Sequence, residues 1–262
     1  MKLDKIATDF EKFVHDGSTI SSSIGLIGGS KDAPVWVKNG NLQEDNVLAE
    51  AATHPCDSFE MFLSTIHGLN SELLQALPAG YSLVTKATNR YTQDFLMSCG
   101  SNALRFGCSS EVQAWTGETI PAPSPFTELR SAGAHIHFSY DNPTLEKTLA
   151  IIQMMDYLLG AWSVLMDTDR ERRELYGKAG SCRIKDYGGE YRALSNFWID
   201  DANLIEQVYK RTQLALEFAA NPALLYSIAP SEVLRAAIDS YDVTVCQRIE
   251  DSIRALPYCK AL

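Results

Sequence analysis

The sequence predicts an α+β protein, an antiparallel sheet with helices packed on one face. Three observations carry this. Ser131 to Tyr140 alternates, so His135, His137 and Ser139 fall on one side of an extended strand and Ile136, Phe138 and Tyr140 on the other. Arg183 and Lys185 share one strand face and Glu190 and Arg192 another, with Gly188-Gly189 between them, which reads as a hairpin. The stretch from Asn142-Pro143 to about Met166 is apolar around most of a helical circumference and reads as the main buried helix against that sheet. No βα repetition runs along the chain.

Taken in order, Thr8 to Val14 is a short strand with Asp9 and Glu11 on one face and Phe10 on the other. Two acids on one face repel unless a cation neutralises them, although a solvated edge strand would also tolerate them. His15-Asp16-Gly17 reads as a turn. Gly25 to Lys31 is a glycine-rich loop whose backbone N–H groups could cradle a phosphate, but it lacks the Walker A spacing. Asn46 to His54 fits strand or helix. As a strand it presents Glu50 as a candidate metal ligand. Asp57-Ser58 caps a helix running to about Leu77, and Pro78-Ala79-Gly80 ends it. Tyr81 to Thr88 reads as a strand, Phe106 to Cys108 and Ala114 to Gly117 as short elements, and Ile120 to Pro125 as an extended connector.

Asn142 with Pro143 gives the start signal for the long apolar helix. Its Gln153 and Asp156 argue for burial in a core rather than a membrane span. Asp167 to Glu174 is a dense charge run and reads as a solvated helix turn. Beyond Trp198 the chain reads as helical, over Asp201 to Ala220, Ser231 to Ser240 and Val243 to Leu256.

The bulk numbers narrow the function. A chain of 262 residues can bury a large core, and 45% hydrophobic with 21% charged residues is ordinary for a soluble globular protein. A net charge of -10 argues against a nucleic-acid partner bound through a basic face. Cysteines at 56, 99, 108, 182, 246 and 259 form no Cys-x-x-Cys pair and point to reduced thiols and a cytoplasmic home. The N-terminal residues lack the apolar core of a signal peptide, and no membrane partner is expected.

The polar residues on separate strands make a coherent set. Asp9, Glu11, Glu50, His135 and Glu190 offer carboxylate oxygens and imidazole, which suit a hard cation, Mg2+ or Mn2+. Arg183 and Arg192 beside them suit phosphate oxygens. Cations with arginines are what phosphoryl transfer requires, because its transition state spreads charge over oxygens. The residues alone therefore point to a magnesium–nucleotide enzyme on an antiparallel sheet.

At these positions the sequence resembles the phage-type COOH–NH2 ligases (amidoligases), relatives of glutamine synthetase and glutamate–cysteine ligase. Four motifs carry the resemblance: Asp9-Phe10-Glu11-Lys12-Phe13; Gly28 to Lys31 followed by Gln43 to Asn46 and Glu50; Arg130 to His137; and Tyr176 to Arg183 with Glu190 to Trp198. It spans about Ala7 to Trp198, and the helical tail is compatible with it. It implies a curved antiparallel sheet of the glutamine synthetase catalytic-domain type with helices on its outer face. One catalytic domain would cover 1–262, with 1–198 as the sheet-forming core with inserted helices and 199–262 as the helical C-terminal part.

The implied reaction is ATP-dependent. A carboxylate is phosphorylated to an acyl phosphate, which an amine displaces to give an amide or peptide-like bond. Asp9, His135 and Glu190 would hold the metal bridging the ATP phosphates. Glu11 and Glu50, joined by Glu44, would hold the metal facing the substrates, which makes Glu50 catalytic as well. His137 would contact ATP. Arg192, Arg183 and Arg130 would neutralise the transferred phosphoryl group, with Lys31 also on the phosphate side. Small-molecule or peptide carboxylates and amines would be the partners, in the cytoplasm, or the host cytoplasm if the chain is phage-encoded. Two departures weaken the second metal site: Ala51-Ala52 follow Glu50 where Phe-Asn is usual, and Lys12 stands where an apolar residue is usual. A metal-dependent hydrolase and a nucleotide-binding relative without turnover are the alternatives. The identities of the substrates and the oligomeric state stay open.

Overall fold

The computed structural model describes residues 1–104, 111–121, 124, 127–260 and 262. The chain opens with β1 (Lys5–His15) and continues through β2 (Ile20–Ser21), β3 (Val35–Val37), β4 (Gly40–Asp45) and β5 (Leu48–Thr53) to helix α1 (Phe59–Ala76). Next come β6 (Ser82–Val84), β7 (Thr88–Arg90), α2 (Gln93–Ser98), β8 (Glu111–Gln113), β9 (Thr119–Ile120), β10 (Leu129–Ser131) and β11 (Ala134–Ser139). The long apolar helix follows as α3 (Leu145–Met155) and α4 (Ala161–Met166), joined by a π turn over Asp156–Gly160. After α5 (Arg172–Leu175), the hairpin strands β12 (Ser181–Lys185) and β13 (Gly188–Tyr191) lead into α6 (Ala202–Phe218), α7 (Ala223–Tyr226), α8 (Ser231–Ser240) and α9 (Val243–Arg254).

The main sheet runs β3-β4-β5-β1-β11-β13-β12-β8-β9, and its neighbours pair antiparallel. β2 and β6 pair with the far end of β1, and β7 with β10. The α+β class expected from the sequence is therefore the class observed. β1 is a central strand, not a solvated edge, so its two faces have separate work. Ile6 and Phe10 enter the core with Phe62, Ile66 and Leu69 of α1. On β11, Ile136 and Phe138 do the same with Ile151, Ile152 and Met155 of α3. Each such side chain contributes roughly 1.5–3 kcal/mol by leaving water. The helices thus cover one face and leave the other to Asp9, Glu11 and His135.

Lys12 is buried on the core side and reaches Asp200 at 2.6 Å, a carboxylate that also accepts from Asn70 and Thr85. A residue that departs from the family pattern thus has its own counter-ion and leaves the acidic face untouched.

Ser58 caps α1 as expected, and Asp201 caps α6. Other boundaries moved. The stretch 81–88 does not form one strand; it breaks at Thr85 to Ala87, where the Ala87 carbonyl accepts from Ala132 and the Thr85 hydroxyl turns to Asp200. The cap of α3 is Thr144, whose side chain accepts from Lys147 N–H, because Asn142 sits in the left-handed region at φ 53. Ala114 to Gly117 is the turn joining β8 to β9. The Phe106–Cys108 element and parts of the 120–125 connector lie outside the described residues. The helix Leu145–Met166 is long and apolar enough to cross a membrane, but 72% of its apolar window is buried within the fold, as a core helix requires.

Candidate cation and phosphate site

The strands facing away from the helices bring their polar residues to one cleft. Register does this: Asp9 pairs with His135, Glu11 with Glu50, Gln43 with Glu50, and Glu190 with both His137 and Arg183. Residues in register on neighbouring strands lie close together, with Cβ atoms about 4.5–5.5 Å apart. Six strands can therefore place their polar side chains side by side although 181 positions separate Asp9 from Glu190 in sequence.

The first group is built on Asp9. His135 Nδ1 lies 3.0 Å from Asp9 Oδ1 and 3.9 Å from Glu190 Oε1. His137 Nε2 lies 3.4 Å from Asp9 Oδ2, and its Nδ1 is 2.8 Å from the Tyr187 hydroxyl. One ligand atom each from Asp9, His137 and Glu190 falls within 4.8 Å of the others. Glu190 also takes Lys185 Nζ at 3.0 Å, Arg183 Nη1 at 3.3 Å and Arg192 Nη1. Arg192 donates through Nε to Glu111 at 2.6 Å and through Nη1 to His135 at 3.1 Å, a contact that requires a neutral Nδ1 acceptor.

The charges of this group balance internally. Burial and Asp9 push the Glu190 carboxyl up, but Arg192 and the two imidazoles outweigh them and hold it at about 2. Burial also opposes ionisation of Asp9, and His135 and His137 overcome it, so Asp9 sits well below the usual carboxylate range. Burial, aided by Arg192, lowers His135, whereas Asp9 and Glu190 raise His137 despite its burial.

The second group is acidic throughout. Glu11, Asp45 and Glu50 bring carboxylate oxygens within 4.8 Å of one another. Gly133 N–H donates to Glu11 at 2.6 Å, and Gln43 Nε2 to Glu50 at 2.6 Å. Burial and then Asp45 raise Glu11 to about 8, and the same two causes raise Glu50 well above its ordinary value. Arg172 is the cation that most eases Glu11.

These residues fit divalent cations. Asp9 Oδ1 is buried and finds no hydrogen-bond donor among the described residues, since His135 lies near it but off hydrogen-bond geometry. Burial and the neighbouring carboxylates hold the Glu11 and Glu50 carboxyls above their ordinary values, a burden that a cation among them would offset. Carboxylate oxygens with imidazole and amide oxygen are the ligand set of Mg2+ or Mn2+.

Asp9, Glu11, Glu50, His135, His137, Glu190, Arg183 and Arg192 all line this one cleft. Lys31 reaches its rim at the end of the glycine loop. Other expectations for the cleft change. The loop does not offer its N–H groups to a phosphate: Gly25, Ile27 and Gly28 donate to Glu44 Oε1 at 2.9, 3.3 and 2.9 Å. Positive φ at Gly25, Gly28 and Gly29 shapes that nest, and it also takes Glu44 out of the acidic group. Asp45, the next residue, stands in the place expected for Glu44.

Arg130 borders the cleft, but its guanidinium is buried and donates to Asn46 Oδ1 at 2.9 Å and to the carbonyls of Thr127, Leu129 and Ala103. It pins the loop before β10 rather than meeting a phosphoryl group. Gly133 gives its space to an imidazole, since a Cβ there would stand 2.6 Å from His135 Nε2.

The charge run after α4 is solvated only in part, since Arg170, Glu171 and Glu174 are exposed while Asp167 and two arginines are not. Arg172 and Arg173 are buried, Arg172 holding Ser131 and the Leu194 carbonyl and Arg173 holding Ser163 and the Gly177 carbonyl. Arg172 is a wall of the cleft that the sequence did not reveal, because its pattern matched any exposed charged turn. Glu111 carries no motif and was likewise missed. Both become visible only through tertiary contact with Ser131 and Arg192.

Two carboxylate groups lie on one sheet face, one of them backed by guanidinium and ammonium. The family model described as "Phage phiEco32-like COOH.NH2 ligase-type 2" matches residues 110–252, and the chain belongs to that family. A comparison with curated proteins found no match. Among solved structures, a bifunctional glutathione synthetase from Pasteurella multocida shares 10% identity at a TM-score of 0.42, over 96% of this chain and 49% of that one. The chain thus spans about half the length of that synthetase.

Proposed function

We propose that this protein is an ATP-dependent carboxylate–amine ligase acting through an acyl phosphate. The observation that carries the reading is the convergence of Asp9, His135 and Glu190 with Arg183 and Arg192 on one wall, beside the separate Glu11–Asp45–Glu50 group. The family's name agrees with it. The sheet, with helices on one face and the cleft on the other, is consistent with a glutamine synthetase-type catalytic domain. A core cluster running from Ile6 to Cys259 supports reading the 262 residues as one domain.

Asp9, Glu190 and His135 would hold the cation on the nucleotide side, since His135 Nδ1 is 3.0 and 3.9 Å from the two carboxylates. His137, with its outer nitrogen taken by Tyr187, faces the nucleotide. Glu11, Asp45 and Glu50 would hold the cation on the substrate side. When bound, such cations polarise phosphate and carboxylate oxygens. The substrate carboxylate attacks the terminal phosphorus, and the bond to the leaving ADP oxygen breaks. Arg192 and Arg183 stand where negative charge builds on the transferred group. The amine then displaces phosphate, and its proton needs an acceptor, a role open to Glu50 or Glu11 at the substrate side.

The test is incubation with ATP, Mg2+ and pooled carboxylates and amines, read by phosphate release and by mass spectrometry. The reading requires a condensation product formed with stoichiometric phosphate. ATP that remains intact under all pools, with no magnesium-dependent ATP binding, would refute it.

A further inference from the structure

Three cationic side chains converge on the Glu190 carboxylate, and they are not held alike. Arg192 is buried and anchored from three sides, by Glu190, by Glu111 at 2.6 Å and by His135 at 3.1 Å. Arg183 lies 3.3 Å from Glu190 Oε1 with 18% of its side chain exposed. Lys185 takes the other oxygen, Oε2, at 3.0 Å, and at 32% it is the most exposed of the three. Glu190 is its one ion-pair partner among the described residues. Register explains its reach. Lys185 stands opposite Gly188, two residues before Glu190 on β13, so no side chain separates its stem from the cleft it lines. Gly188 could not carry one, because a Cβ there would collide with the Phe138 carbonyl. A lysine is a point charge on a flexible four-carbon stem, so it exchanges one nearby anion for another without moving the backbone. Glu190 is also one of the three residues, with Asp9 and His137, whose ligand atoms fall within 4.8 Å of one another. A divalent cation there would meet the ammonium across a shared carboxylate, where like charges repel. Arg192, tied to Glu111, has nowhere to withdraw, whereas Lys185 does.

We propose that Lys185 is an internal counter-ion that a divalent cation displaces from Glu190, and that the displaced ammonium then binds the phosphate groups of the ligand. The inference rests on the nucleotide reading of the cleft. In cation-free protein the ammonium occupies Glu190 and opposes a cation that arrives alone. A cation arriving with a polyphosphate brings the ammonium its next partner, phosphate oxygens that accept from its three N–H donors. Cation and phosphate therefore bind together better than either binds alone, and linkage requires each to raise the other's affinity by the same factor.

Titration calorimetry reads this with two probes, Mn2+ alone and inorganic tripolyphosphate at saturating Mn2+. A Glu50→Gln background removes one carboxylate of the Glu11–Asp45–Glu50 group, so that the Glu190 group dominates cation binding. In that background Lys185→Met keeps the stem and loses the charge. Mn2+ alone should then bind about ten-fold tighter and tripolyphosphate about ten-fold weaker, within the usual range of coupling between sites. Lys185→Gln should show the same two signs, and Lys185→Arg, which keeps a cation, should restore tripolyphosphate binding. Thermal melting confirms that each variant is folded. Mn2+ affinity that is unchanged or lower would mean that nothing is displaced, and unchanged tripolyphosphate affinity would mean that nothing is handed to phosphate. Either result overturns the proposal while the nucleotide reading stands. If neither ATP nor tripolyphosphate binds the unaltered protein with Mn2+, the nucleotide reading fails and the inference falls with it.

Discussion

The two carboxylate groups share a sheet face but solve the problem of buried charge in opposite ways. Around Asp9 and Glu190, the protein supplies its own cations: Arg192, Arg183, Lys185 and the raised imidazole of His137. Around Glu11 and Glu50 the described residues supply two N–H donors and the Arg172 guanidinium, and both carboxyls stay raised. The first wall is thus assembled without a metal, and the second waits for one. This difference orders the expected effects of perturbation.

The largest effect is expected at Glu190. Glu190→Gln removes the one carboxylate shared by Arg183, Lys185 and Arg192, and should destabilise the fold by about 3–5 kcal/mol, as for other broken buried ion pairs. Denaturant unfolding measures this, and ATP consumption should vanish with it. Glu50→Gln should do the reverse in cation-free protein, leaving stability equal or higher because it relieves repulsion, while magnesium binding weakens. Loss of stability in both variants would erase the distinction between the groups.

The next contrast is in pH. Glu11 is raised from 4.5 to about 8, so its contribution to stability is whole below 4.5 and lost as pH climbs through about 8. Cation-free protein should therefore melt at progressively lower temperature across that window. Glu190, lowered to about 2, contributes stability above 4.5 that is lost only as pH falls through about 2. Magnesium should abolish the neutral-pH slope and release protons on binding, which calorimetry in buffers of different ionisation enthalpy would detect. A magnesium-independent slope would count against the acidic group as a cation site.

Smaller effects sharpen the boundary of the site. Arg130→Lys should cost about 1–3 kcal/mol through unsatisfied carbonyls, yet change Mg2+–ATP affinity less than two-fold. A large loss of affinity with normal stability would return Arg130 to the phosphate side. Glu44→Ala should cost about 1 kcal/mol by freeing the N–H groups of the glycine loop, and leave cation binding unaltered.

How much of this could be read beforehand follows from how local each signal is. Alternation placed Asp9, Glu11, His135 and His137 on one face, because a strand's period is carried by its own residues. The hairpin that joins Arg183 to Glu190 was legible for the same reason. Arg172 was not, because an arginine in a charged turn looks identical whether it meets water or Ser131. Glu44 and Asp45 are adjacent, so sequence could not say which would be captured by the glycine loop. Arg130 lies within a family motif, but its partners Asn46, Thr127 and Ala103 are set by loop packing.

The π turn in the long helix links the reverse side of the sheet to the cleft. There Asp156, buried and pushed up to about 6, accepts from Trp115 at 2.6 Å and from the Tyr191 hydroxyl at 2.8 Å. Tyr191 stands between Glu190 and Arg192 on the backbone, pointing the other way. The extra residue in that helical turn therefore anchors, from behind, the strand segment that aims a carboxylate and a guanidinium forward. A core substitution at Asp156, remote from any ligand, would be felt as a misaimed Glu190 and Arg192, and an assay of turnover would register it.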